Sequence, residues 1–177
     1  MPRTVHAVII PGQGFQDEEY VYPYYRLLEA GCAVAVATGT GQDVTGKFGV
    51  PARATMPTTE LDADRFDLVL IPGGFEGPDR IRLLPEVLEF LRAMDVKGKL
   101  IAAICHGPWV LISAGITRGR KMTAFWSIEA DVRNSGADYQ HKVPVVVDGN
   151  FITSPHYANN GDFMKAVVAE VERLQAQ

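Results

Sequence analysis

A cysteine followed at once by a histidine, Cys105-His106, ends the apolar run "KLIAAIC" and is itself followed by Gly107-Pro108. Small residues stand two before and two after the cysteine, Ala103 and Gly107. A nucleophile elbow requires that spacing, because the strand-to-helix bend is so tight that only small flanking side chains fit. A cysteine held there lies near a helix N-terminus, where the dipole and unpaired N–H groups favour thiolate over thiol. The expectation is an exposed sulfur with an apparent pKa well below the ~8.5 of a free thiol. His106 can serve beside it as base or as orienting donor. The competing reading is a buried structural cysteine, a common fate of free thiols.

Other residues strengthen the first reading. Gly73 and Gly74 end the apolar run "FDLVLIPGG", so their bare backbone can approach a ligand and offer N–H donors to an oxyanion. Glu18 and Glu19 open the first predicted helix. A carboxyl group close to a thiolate keeps its proton and donates it to sulfur. Glu18 reads as a solvated helix-start acid, Glu19 less so. Cys32 and His6 fall in predicted strands, where packing explains them. Two cysteines make no disulfide framework, and no CxxC or HxxxH spacing suggests a metal. No cofactor is called for.

The elements that must position these groups alternate strand and helix almost to the end. Apolar strands are predicted at 4–10, 32–38, 66–74 and 99–105, and a hairpin is expected where "VPVVVDG" and "NFITS" meet at a "VDGN" turn. "DEEYVYPYYRLLEAG" reads as a helix beginning near Pro23, or kinked there. "GQDVTGKFGVPARATM" suggests a small hairpin-like excursion. "PDRIRLLPEVLEFLRAMDVKG" reads as a short helix and a longer one that starts at Pro85. "GPWVLISAG" is a helix stopped by Gly115, "SIEADVRNSG" is amphipathic, and "DFMKAVVAEVERLQ" is the closing helix. The fold class is α/β: a mostly parallel sheet covered on both faces, with one antiparallel pair near the C-terminus. Ligands of such sheets bind beyond the carboxyl ends of the strands. "PGQGFQDEE", "PGGFEGPDR", "CHGP" and "SPHYANNGD" converge there.

Composition bounds the alternatives. The 177 residues suit one domain spanning 1–177, with 47% hydrophobic and 21% charged residues. No apolar run reaches the ~18 residues of a membrane span, and the N-terminus does not read as a signal peptide, so a cytoplasmic protein is expected. A net charge of −4 argues against nucleic acid as the main partner. The basic cluster "TRGRK" reads as a solvated turn.

"AAICHGPWVLISAGITRGRKMTAF" resembles the central motif of PfpI-type intracellular proteases, within the ThiJ/PfpI superfamily of glutamine-amidotransferase-like proteins. The likeness includes "GFQDEEYVYPYYRLLEAG", "VTGKFGV", "LVLIPGG", "PDRIRLLPEVLEFLR" and "VVVDGNFITS", nearly the whole chain. It implies a flavodoxin-like three-layer sandwich, a nucleophile at Cys105 with His106 beside it, and Glu19 as the acid contacting sulfur. The N–H groups of Gly74 and His106 would then form the oxyanion pocket. It also implies a homodimer or hexamer, in which Asp79 stands where a longer acid reaches the histidine of an adjacent subunit. At the pocket rim, Gln16 replaces a common acid and Phe125 a frequent tyrosine. The usual "TSRGPxDLPAF" tail becomes "TSPHYANNGDF", which introduces His156. A changed rim around a retained nucleophile suggests a changed substrate.

The function this implies is a cysteine-dependent hydrolase or lyase acting on a small-molecule or peptide substrate. Protease-like, glyoxalase III-like and deglycase-like activities all start with sulfur adding to a polarised carbon. The alternative is a stress-response chaperone or redox sensor in which Cys105 is oxidised. A glutamine amidotransferase is disfavoured, because the adjacent His106 is not the distant H-x-E pair of those enzymes.

Overall fold

The computed structural model describes residues 3–177. The chain runs β1 (His6–Ile9), α1 (Asp17–Glu29), β2 (Ala33–Thr38), β3 (Val44–Thr45), β4 (Pro51–Ala52) and β5 (Met56–Pro57). It continues through β6 (Leu68–Ile71), α2 (Glu76–Ile81), α3 (Pro85–Val96), β7 (Leu100–Ile104), α4 (Pro108–Ala114) and β8 (Lys121–Met122). The last third holds α5 (Glu129–Asn134), β9 (Asp138–Tyr139), β10 (Val146–Asp148), β11 (Phe151–Ser154) and α6 (Asn160–Gln175). Seven strands form one sheet in the order β10-β11-β7-β6-β1-β2-β5. Every pair is parallel except the β10–β11 hairpin. The architecture is the mostly parallel, flavodoxin-like α/β sandwich.

Period-two alternation sorts the strand side chains between two cores. Ala7, Ile9, Leu68, Leu70 and Ala102 pack towards α1 and α6, against Leu27, Phe163 and Val167. Val8, Val69, Ile71, Ile101 and Ala103 face the other way, against Leu91 and Met94 of α3 and Leu111 of α4. Both faces are covered, which is why these strands read as continuous apolar runs. From β1 the chain steps to β2 on one side, then returns to β6 and β7 on the other. This reversal opens a crevice at the carboxyl ends of β1 and β6.

Three local outcomes differ from the sequence reading. Helix α1 begins at Asp17 with the acids in its first turn as read, and carries the buried Pro23 within it, which corrects the alternative of a start near Pro23. Proline there removes the N–H that would bond the Glu19 carbonyl. Asp17 and Glu18 at the dipole's positive end, and burial of Tyr20, Pro23 and Leu27, carry the helix through. The excursion after β2 does form a small antiparallel pair, β3–β4, but its continuation β5 adds an edge strand to the main sheet. Asp17 ties the excursion to α1 by accepting from the Phe48 and Val50 N–H groups at 2.9 and 2.8 Å. The "TRGRK" cluster is not simply solvated. Arg120 reaches Asp95 at 2.6 Å and lies over the Phe151 ring, where the cation meets a π face.

Candidate active site

The bend after β7 forces Cys105 to φ 62°, the left-handed region that a non-glycine residue occupies at a cost of about 1–2 kcal/mol. Two hydrogen bonds hold it there. The Cys105 N–H donates to the Ser154 carbonyl and its own carbonyl accepts from the Phe125 N–H, each at 2.9 Å. The elbow's demand for small flanks is visible at Gly107. A Cβ there would lie 2.6 Å from the Ile71 carbonyl oxygen and 2.9 Å from that of Ile104. Backbone cannot yield as a flexible side chain would, so Gly107→Ala should cost about 1–3 kcal/mol, read as a lower urea midpoint. An unchanged midpoint would mean that the elbow is looser than these distances say.

Glu19 reaches the same spot from α1. It is wholly buried, and its Oε2 accepts from the Gly73 N–H at 2.8 Å. Its Oε1 is sealed from solvent without a hydrogen-bond partner. Burial pushes this carboxyl up to about 8 from an ordinary 4.5, and the Gly73 N–H and the Cys105 thiol offset that only in part. At neutral pH Glu19 therefore carries a proton, and the orphaned Oε1 is where it belongs. A Cβ on Gly73 would sit 2.4 Å from Glu19 Oε2 and 2.5 Å from Cys105 Cβ. Only glycine lets the acid and the cysteine close on one another.

Sequence reasoning assigned both Gly73 and Gly74 to the oxyanion pocket. Gly73 is corrected: its N–H is spent on Glu19. The N–H groups that interact with the sulfur are those of Gly74 and His106. The expected open, acidified thiol is also corrected. Cys105 is only 6% exposed, and burial pushes its thiol up. A charged Glu19 would push it further, whereas the Gly74 and His106 N–H groups pull it down. The contribution from Glu19 needs an ionised carboxylate, which burial withholds up to about pH 8. Below that, Glu19 is a neutral neighbour with a proton to give.

The imidazole of His106 does turn towards the sulfur, with Nδ1 3.3 Å from Cys105 Sγ. Its Nε2 lies 3.2 Å from the Ser127 hydroxyl, and its ring stacks on Phe125 and meets the edge of Trp109. Burial lowers its pKa, so it is neutral at pH 7 and able to take a proton. Ser127 escaped sequence reasoning, since no spacing rule links it to a histidine 21 residues earlier.

A family model described as DJ-1/PfpI family matches residues 5–170. The chain belongs to the DJ-1/PfpI family. Deglycase PfpI of Pyrococcus furiosus is 41% identical over 155 residues, which cover 85% of this chain and 92% of that protein. The crystal structure of Drosophila melanogaster DJ-1beta superposes with a TM-score of 0.90 at 29% identity, covering 99% of this chain and 92% of that one. A two-domain protein of Anabaena variabilis, with DJ-1/ThiJ/PfpI-like and ferritin-like domains, gives a TM-score of 0.92 at 36% identity. That match covers 98% of this chain, which spans half the length of the two-domain protein.

In this DJ-1/PfpI chain a cavity of about 200 Å³ opens onto the sulfur. Gln16, Gly74, Phe125 and His156 line it, as sequence reasoning placed them, and Lys47, Phe75 and Tyr157 join them. Lys47 belongs to the excursion between β3 and β4, read from sequence only as a turn. Gln16 turns its amide to Glu18 at 2.7 Å, and Glu18 is exposed as expected. Asp79 is exposed on α2 and outside this lining. Among the described residues no group of three or more His, Cys, Asp or Glu is disposed to hold a metal ion. No helix among them is long and apolar enough to cross a membrane.

Proposed function

We propose that the protein is a cysteine-dependent enzyme that adds the Cys105 sulfur to the carbonyl carbon of a small substrate, in the manner of a glyoxalase or deglycase. One observation carries the reading. A cysteine in a strained conformation at a pocket floor has an imidazole nitrogen 3.3 Å away and a buried, proton-retaining carboxyl behind it. Strain at a non-glycine residue persists where its surroundings over-determine it, and such residues cluster at active sites. The name of the Pyrococcus furiosus relative, a deglycase, supports the reaction class.

For a 2-oxoaldehyde the steps balance without an external oxidant. Sulfur forms a bond to the aldehyde carbon, the C=O pair moves onto oxygen, and that oxygen takes a proton to give a hemithioacetal. Neutral His106 removes the hydrogen of that carbon, and a proton is delivered to the neighbouring carbonyl carbon, leaving a thioester and a hydroxyl group. Water then breaks the C–S bond, releases the 2-hydroxy acid and restores the thiol. Neutral His106 takes the thiol proton and passes it to the aldehyde oxygen, and protonated Glu19 supplies the proton that the departing sulfur takes back, regaining one from the attacking water. The Gly74 and His106 N–H groups, which lower the sulfur's pKa, are assigned to the charge that develops on oxygen.

Peptide hydrolysis is the weaker fit. The far nitrogen of His106 meets a serine hydroxyl in its own chain, not a carboxylate that would hold an imidazolium. The test is turnover of methylglyoxal, a glycated amine and a fluorogenic aminoacyl peptide by wild type and by Cys105→Ala. Carbonyl turnover lost in the variant supports the reading. Absence of turnover, with two oxygens added to Cys105 by peroxide, would replace it with an oxidation sensor.

A further inference from the structure

One wall of the Cys105 pocket is built of the rings of Phe125, His156 and Tyr157, which the addition chemistry does not use, and Trp126 stacks behind them outside the lining. Phe125 stacks on His106 at 5.0 Å between centroids and on Trp126 at 4.0 Å. His156 lies 5.9 Å from Phe125, 5.6 Å from Trp126 and 4.0 Å from Tyr157. The interplanar angles of these five pairs fall between 26° and 34°, so the rings present nearly parallel faces. Trp126 is 49% exposed and Tyr157 41%, although both are large enough to repay burial. The His156 ring is fixed as well. Its Nδ1 accepts from the Ala158 N–H at 3.2 Å, which puts the proton of the neutral ring on Nε2. Catalysis at sulfur needs none of this. A flat ligand lying against the wall would bury ring faces now open to water and gain the offset stacking that aromatic pairs prefer.

We propose that this wall is a subsite for a planar aryl group attached to the reacting carbonyl, so that aryl 2-oxoaldehydes are preferred to alkyl ones. His156 and Tyr157, which line the pocket, set that preference. Cys105 alone would not discriminate in this way, and an alkyl group offers the wall no π face. This inference rests on the carbonyl-addition reading above, and its test separates the two.

The measurement is kcat/KM for phenylglyoxal and for methylglyoxal, each divided by the rate of adduct formation with a small free thiol. In wild type the normalised value should favour phenylglyoxal by about tenfold, and Tyr157→Ala or His156→Ala should each remove most of that preference. Equal normalised values in wild type, or a preference untouched by both substitutions, would overturn the subsite. Failure to turn over either glyoxal would count against the carbonyl reading instead. The subsite is then judged by labelling of Cys105 with 2-bromoacetophenone against bromoacetone, normalised the same way. Faster, saturable aryl labelling that weakens in Tyr157→Ala supports it, and equal labelling overturns it.

Discussion

Glu19→Gln should make the protein more stable as the pH is raised, although it removes a buried group at the centre of the site. In the folded chain burial lifts the Glu19 carboxyl to about 8, above its ordinary 4.5. A group whose folded pKa is raised stabilises the fold fully below its unfolded pKa, and that contribution is lost as pH climbs through the folded value. The window here is pH 4.5 to 8, and the shift corresponds to about 5 kcal/mol across it. Glutamine has the same shape, can accept from the Gly73 N–H and never ionises. The variant's advantage should therefore be smallest near pH 4, about 3 kcal/mol larger near pH 7, and level off above pH 8. Urea unfolding at a series of pH values measures it. A difference between the two proteins that stays constant from pH 4 to 8 would show that Glu19 does not hold its proton in the fold.

The same substitution should damage turnover while improving stability. A positioned proton donor contributes typically 10²–10⁴-fold, and an amide cannot pass a proton on. Cys105→Ala should go further and abolish turnover, since no other thiol reaches the pocket: Cys32 is buried against α1 and α6, and its pKa is pushed up to about 11. Progress curves for the two variants, with matching circular dichroism, check both outcomes. Wild-type turnover in Cys105→Ala would remove the sulfur from the chemistry. A Glu19→Gln enzyme as active as wild type would reduce Glu19 to a packing group.

Much of this was legible before any coordinates. The alternation of apolar runs with Gly- and Pro-marked helices specifies a parallel sheet, and Ala103 and Gly107 around Cys105 specify the elbow. Both signals are local, which is why they survive in one dimension. What stayed hidden depends on which backbone groups are already engaged. "PGG" offers two N–H donors on paper, and only in three dimensions does Glu19 take that of Gly73, leaving Gly74 for the sulfur. Burial is equally silent in sequence. An elbow suggests an open thiolate, whereas here the sulfur is almost covered and burial opposes its ionisation. Pro23 misled for a related reason, since local propensity argues for a helix start and buried Tyr20 and Leu27 override it. Ser127 joins the site from a 3-10 turn that no spacing rule connects to Cys105.

The most direct test is the rate of alkylation of each cysteine by iodoacetamide from pH 5 to 10, read by peptide mass spectrometry. The Cys105 sulfur loses its proton against burial and, above about pH 8, against the charge of ionised Glu19 as well. Cys105 should therefore label slowly in wild type, and Glu19→Gln, which removes that charge, should move its labelling ionisation to lower pH while Cys32 is unchanged. The same pH profile for Cys105 in both proteins would contradict the pairing of sulfur and carboxyl on which the proposed chemistry stands.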